Sequence, residues 1–123
     1  MAKLPLISVV DDDESVRESL PDLLREFGYD VRAFASAEEF LKSDQLTGTT
    51  CLITDVQMPG MSGIDLQARL KESGNHLPVI VITAFPDEAV RKRAMQLGAL
   101  SFLAKPLDDA ALTDCLDRAL QPH

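Results

Sequence analysis

Apolar residues fall along this chain in two rhythms. One is a set of short, nearly unbroken runs. Leu6-Ile7-Ser8-Val9-Val10 comes first, Thr50 to Thr54 is rich in β-branched residues, and Val79-Ile80-Val81-Ile82 is apolar at every position before Thr83. Runs of this length without alternation predict strands covered on both faces. Tyr29 to Phe34 and Leu100 to Leu103 are shorter strand candidates. The second rhythm is helical. Val16, Leu20, Leu23, Leu24 and Phe27 predict a helix over 15–27, stopped by Gly28. Ser36-Ala37-Glu38-Glu39 fits a capping box, with Ser36 as N-cap and Glu39 reaching back, for a short helix to Ser43. Ile64 to Ser73 predicts a third helix, ended by Gly74. A fourth runs from near Pro86 to Leu97, and a fifth from Leu107 to Leu120 with Asp108 and Asp109 at its positive end. Pro21 falls inside the first helix, where it is expected to kink or loosen the turns.

Five strands alternating with five helices through short connections predict an α/β, doubly wound parallel sheet. Right-handed crossovers place helices on both faces. The matching strand order is 2-1-3-4-5, the flavodoxin-like (βα)5 arrangement, with a switch point between strands one and three. No repeat, low-complexity tract or linker interrupts residues 1–123, so one domain is expected.

Composition narrows the classes. The chain has 123 residues, 46% of them hydrophobic, which is enough for a real core in a domain of ordinary size. No apolar run nears the roughly 20 residues of a membrane span. The start, Met1-Ala2-Lys3-Leu4-Pro5, lacks a signal-peptide pattern, so a cytoplasmic protein is expected. Cys51 and Cys115 are then expected as buried free thiols. A net charge of −8 argues against nucleic-acid binding by this domain. Arg91-Lys92-Arg93 stands out in an acidic chain. It reads as a solvated helix face or as part of a dimer or partner surface.

The strand ends carry the chemistry. Asp11 and Asp12 follow strand one, Asp55 ends strand three, Thr83 ends strand four, and Lys105 follows strand five. In a parallel sheet these ends share one edge, the edge where ligands bind. Grouped carboxylates repel and raise one another's pKa unless a cation joins them, and Mg²⁺ suits such a site. Asp55 then reads as a phosphoryl acceptor, Lys105 as a point charge for a phosphate oxygen, Thr83 as a hydroxyl donor, and small Ala84 as leaving access. Taken singly each residue has a blander role: an acidic run caps a helix, an aspartate before Pro59-Gly60 turns the chain, and a lysine is solvated. Their coincidence on one edge favours the chemical reading.

The segments Val9-Val10-Asp11-Asp12, Asp55-Val56-Gln57-Met58-Pro59-Gly60-Met61-Ser62-Gly63, Val79 to Ala84, and Gly98-Ala99 through Phe102-Leu103-Ala104-Lys105-Pro106 resemble the receiver domain of bacterial two-component response regulators, most of all the FixJ/NarL type. The resemblance implies a phosphorylation-controlled switch, not an enzyme on a separate substrate. Asp55 would take its phosphoryl group from a histidine kinase. Asp11, Asp12, Asp55 and the backbone carbonyl of Gln57 would hold Mg²⁺. Lys105 would contact the phosphoryl group, with a cis Lys105–Pro106 bond. Thr83 and Phe102 would be the switch pair, altering the helix-4/strand-5 surface to control a partner, a homodimer or a transcriptional output. Phe102 stands where the family often has Tyr, so a hydroxyl-based version of the switch is lost. Gln57 and Phe85, two positions beyond Asp55 and Thr83, would line the route of hydrolytic water and tune phosphoryl lifetime. Two rivals are a haloacid-dehalogenase-like phosphatase or phosphotransferase using Asp11 in Asp11-Asp12-Asp13-Glu14-Ser15, and an unphosphorylated adaptor of the same fold.

Overall fold

The computed structural model describes residues 4–44 and 46–120. The amino-terminal Met1 to Lys3, read above for a leader, lies outside the described residues. The elements alternate throughout: β1 (Leu6–Val10), α1 (Glu14–Glu26), β2 (Asp30–Phe34), α2 (Ala37–Lys42), β3 (Cys51–Asp55), α3 (Gly63–Glu72), β4 (Val79–Thr83), α4 (Glu88–Gln96), β5 (Ser101–Ala104) and α5 (Asp109–Leu120). The strands form one parallel sheet in the order β2-β1-β3-β4-β5. Fold class and order are as expected from the sequence. Among the described residues no helix is long and apolar enough to cross a membrane.

Strand character follows from burial on both sides. Every residue of β3 and β4 is buried. Ile7, Val9, Ile53, Ile80 and Ile82 pack with α1 and α5 through Leu20, Leu24, Leu112 and Leu116. On the opposite face Val10, Leu52, Val79 and Val81 pack with α2, α3 and α4 through Phe40, Leu66 and Ala94. Burying such side chains contributes about 1.5–3 kcal/mol each. Cys51 and Cys115 are buried free thiols, as expected.

Element ends moved by one or two residues, which is where hydrogen bonds and caps decide. Asp13 caps α1 by accepting from the Ser15 N–H, so the helix starts at Glu14. α1 runs unbroken across Pro21, which is buried. Asp87 caps α4, leaving Pro86 one residue outside the cap rather than inside the first turn. The Asp108 carboxylate accepts from the Ala111 N–H, so α5 starts at Asp109. Ser36 caps α2 through the Glu39 N–H. The reciprocal Glu39 bond expected of a capping box is not formed among the described residues. The complete box lies at α3, where Ser62 Oγ accepts from the Asp65 N–H and the Asp65 carboxylate accepts from the Ser62 N–H. A search for Glu or Gln at that position passes over Asp65.

Candidate phosphoacceptor and cation site

Register explains why distant residues meet. Val10 pairs with Thr54, so Asp11, the next residue, lies level with Asp55. Asp55 pairs with Ile82, and Thr83 with Ala104, so Thr83 and Lys105 step outward on the next two strands. The Lys105 N–H donates to the Thr83 carbonyl at 2.8 Å, and the Lys105–Pro106 bond is cis. α3 begins hard against this edge. The Gly63 N–H donates to the Val56 carbonyl at 3.0 Å, and a Cβ on Gly63 would stand 2.1 Å from the Asp55 carbonyl oxygen. Only glycine fits there, so Gly63 is a structural requirement of the site.

The electrostatics are those of a crowded acidic pocket. Carboxylate oxygens of Asp11, Asp12 and Asp55 all lie within 4.8 Å of one another. Asp11 is fully buried, Asp55 is 6% exposed, and Asp12 is exposed. Lys105 Nζ stands 2.8 Å from Asp11 Oδ2 and 3.7 Å from Asp55 Oδ2. Burial first, then the Asp11 charge, pushes the Asp55 carboxyl up to about 6, against the opposing pull of Lys105 and the Val56 N–H. Burial draws the Lys105 ammonium down, but its hydrogen bond to Asp11 and the Asp11 and Asp55 charges outweigh this and leave it raised. One lysine thus answers three carboxylates. Mg²⁺ takes one or two carboxylates and keeps several waters, so this donor set fits it.

A cleft of about 190 Å³ opens over these groups, lined among others by Asp55, Gln57, Thr83, Ala84, Phe85 and Lys105. Thr83 is buried, and its hydroxyl accepts from the Phe85 N–H at 3.1 Å. The Phe85 ring is 69% exposed at the mouth. Phe102 is not in this cleft. It pairs with Val81, so it shares a sheet face with Thr83, and it lines a separate surface groove with Pro86, Asp87, Glu88, Arg91 and Ala104. Asp13 was expected only as part of the acidic run, and Arg17 had no expected role. The Asp13 N–H donates to Asp11 Oδ1 at 2.9 Å, and Arg17 Nη1 donates to the Asp11 carbonyl at 3.0 Å. The acidic run held the signal for Asp13. Nothing local marks Arg17.

This geometry has counterparts. The chain belongs to the response regulator receiver domain family, which it matches over residues 7–117. These are signalling domains of two-component regulators. The chain is 43% identical over 116 residues to nodulation protein W of Bradyrhizobium diazoefficiens, covering 94% of this chain and 51% of that protein. It is 45% identical over 106 residues to the transcriptional regulatory protein FixJ of Azorhizobium caulinodans, covering 86% and 50%. Among solved structures, FixJ-N superposes with a TM-score of 0.84 at 36% identity, covering 97% of this chain and 94% of that one. The chain spans about half the length of the curated relatives it matches. The phosphatase alternative is not favoured. Both carboxylate oxygens of Asp11 are already hydrogen-bonded, by Asp13 and Lys105.

Proposed function

We propose that this domain is a phosphorylation-controlled switch in which Asp55 is the phosphoacceptor. The observation that carries this reading is a carboxylate at the end of a fully buried strand, with its own charge raised in energy, facing a lysine and two further acids. In the reaction an Asp55 oxygen attacks the phosphorus of a kinase phosphohistidine. The P–O bond forms as the P–N bond breaks, and the imidazole leaves with the electron pair. Asp55 with a pKa near 6 is mostly ionised at neutral pH, as a nucleophile must be. Asp11, Asp12, Asp55 and the Gln57 carbonyl would hold Mg²⁺, and the ion would supply positive charge beside the transferring group. Lys105 steadies a phosphoryl oxygen. Thr83 gives a hydroxyl hydrogen bond to another, and the bond it now accepts from Phe85 ties that motion to the start of the following loop. A charged group drawing Thr83 inward frees space for the Phe102 ring, changing the surface made by α4 and β5.

On this reading the domain works in the cytoplasm, and its partners are a cognate sensor histidine kinase and whatever the α4/β5 face controls. That is a second copy of the domain or a transcriptional output, as in regulators of the FixJ type. No direct contact with nucleic acid is assigned to this domain. Gln57 and Phe85 frame the approach of hydrolytic water, so Phe85→Ala should change the dephosphorylation rate. An unchanged rate removes Phe85 from the account.

The deciding experiment is incubation with Mg²⁺ and acetyl phosphate, followed by intact mass and mapping of the modified residue. One phosphoryl group on Asp55, absent in Asp55→Asn, is the expected result. Phosphate on Asp11, or rapid turnover of unrelated phosphoesters, sinks the reading.

A further inference from the structure

Asp11 is gripped by four separate parts of the chain. Its N–H donates to the Phe34 carbonyl of β2 at 3.1 Å. Its carboxylate accepts from the Asp13 N–H at 2.9 Å and from Lys105 Nζ at 2.8 Å. Its carbonyl accepts from Arg17 Nη1 at 3.0 Å. The first three bonds follow from the sheet and the site. The fourth has no role in the chemistry described so far.

The Asp11 carbonyl belongs to the peptide unit that leads into Asp12. That unit is planar, so the carbonyl and the Asp12 N–H and Cα turn together. Asp11 is also the first residue beyond the last paired position of β1, Val10. Among the described residues no hydrogen bond holds the Asp12 carboxylate, which is exposed. The position of its Cα, from which the carboxylate hangs, is therefore set through its backbone, and Arg17 grips that plane. The grip is firm because Arg17 is bound twice to the same turn. Its own N–H donates to the Asp13 carbonyl at 3.1 Å, while its guanidinium reaches back to Asp11. The charges acting on Asp55 come from Asp11, Lys105 and Asp12. Arg17 is placed to orient, not to neutralise.

We propose that Arg17 is a positioning residue that sets the aim of the Asp11–Asp12 acid pair, and through it the affinity of the site for a divalent cation. Groups that orient metal ligands from behind typically change affinity about 10- to 100-fold when removed. The inference rests on the Asp55 and Mg²⁺ reading above.

The test is calorimetric titration of Mg²⁺ into wild type, Arg17→Met and Arg17→Lys. It is paired with thermal melting without metal and with acetyl phosphate labelling across a Mg²⁺ series. Arg17→Met should bind Mg²⁺ about tenfold more weakly. Its labelling rate should fall at limiting Mg²⁺ and return to the wild-type rate at saturation. Arg17→Lys, which can still donate to the carbonyl, should recover most of the affinity. A merely structural bond would lower the melting temperature and leave the Mg²⁺ affinity unchanged. That result, or a lost rate that saturating Mg²⁺ does not restore, overturns the proposal. Should Arg17→Met fail to fold, Arg17→Gln, too short to span the gap, replaces it with the same expected loss. If wild type itself binds no Mg²⁺ or is not labelled on Asp55, the functional reading fails and takes this inference with it. Failure in the variants alone removes only the role of Arg17.

Discussion

α4 and α5 flank the same strand, β5, yet they are anchored very differently. α5 buries Leu112, Cys115, Leu116 and Ala119, and packs into the core shared with α1. α4 buries only Ala94. The strands show the same gradient: β3, which carries Asp55, is buried at all five positions, whereas β5 is nowhere fully buried. Asp55, the proposed phosphoacceptor, thus sits on the part of the sheet that is hardest to move. The surface that would report its charge sits on the part that is cheapest. Local opening follows buried apolar contact, so a switch is best built across such a gradient.

Three measurements test that contrast. The largest expected effect is in the core. Leu116→Ala in α5 should destabilise the domain by about 2–5 kcal/mol in denaturant unfolding. Val90→Ala on the half-buried side of α4 should lower it by less than about 1.5 kcal/mol. Equal losses would show that α4 is as firmly seated as α5.

The next effect is electrostatic. The Asp55 carboxyl sits at about 6 in the fold, above roughly 3.9 in an unfolded chain. Between those values the folded state binds the extra proton, so metal-free stability should fall as pH rises from about 4 to 6 and level off above. The total change is on the order of 3 kcal/mol. Asp55→Asn should flatten this slope and be more stable than wild type at pH 8 without metal. A slope unchanged by Asp55→Asn would mean that Asp55 carries no such charge strain.

The smallest effect concerns the tie between α3 and α4. Gln67 is 3% exposed, its Nε2 donates to the Ala94 carbonyl at 3.1 Å, and its Oε1 has no partner among the described residues. The Ala94 carbonyl also accepts from the Ala99 N–H. Gln67→Met should therefore change global stability by no more than about 1 kcal/mol, while amide exchange in α4 speeds up relative to α5. Unchanged exchange in α4 would show that Gln67 does not hold it.

Much of this protein was legible along the chain. Unbroken apolar runs announced strands covered on both faces, and helical spacing announced the layers that cover them. Their alternation left one topology, and that topology brought Asp11, Asp12, Asp55, Thr83 and Lys105 to one edge. These features depend on period and order, which a linear string contains. The glycine at position 63 was visible as part of a turn-rich loop. Its necessity was not, because it arises from the backbone of Asp55 lying against the start of α3.

Contacts made across elements are settled only when the chain has folded. Phe102 shares a face with Thr83 but lines a different groove, a matter of strand register and side-chain direction. Arg17, in the first turn of α1, reaches back to the Asp11 carbonyl, a contact that depends on how the β1–α1 turn is folded. The raised pKa of Asp55 likewise belongs to no residue alone. The sequence by itself determined which chemical groups share an edge, since hydrophobic period and chain order dictate the sheet. How those groups are aimed and charged was left to packing, because hydrogen-bond direction and desolvation exist only once distant segments meet.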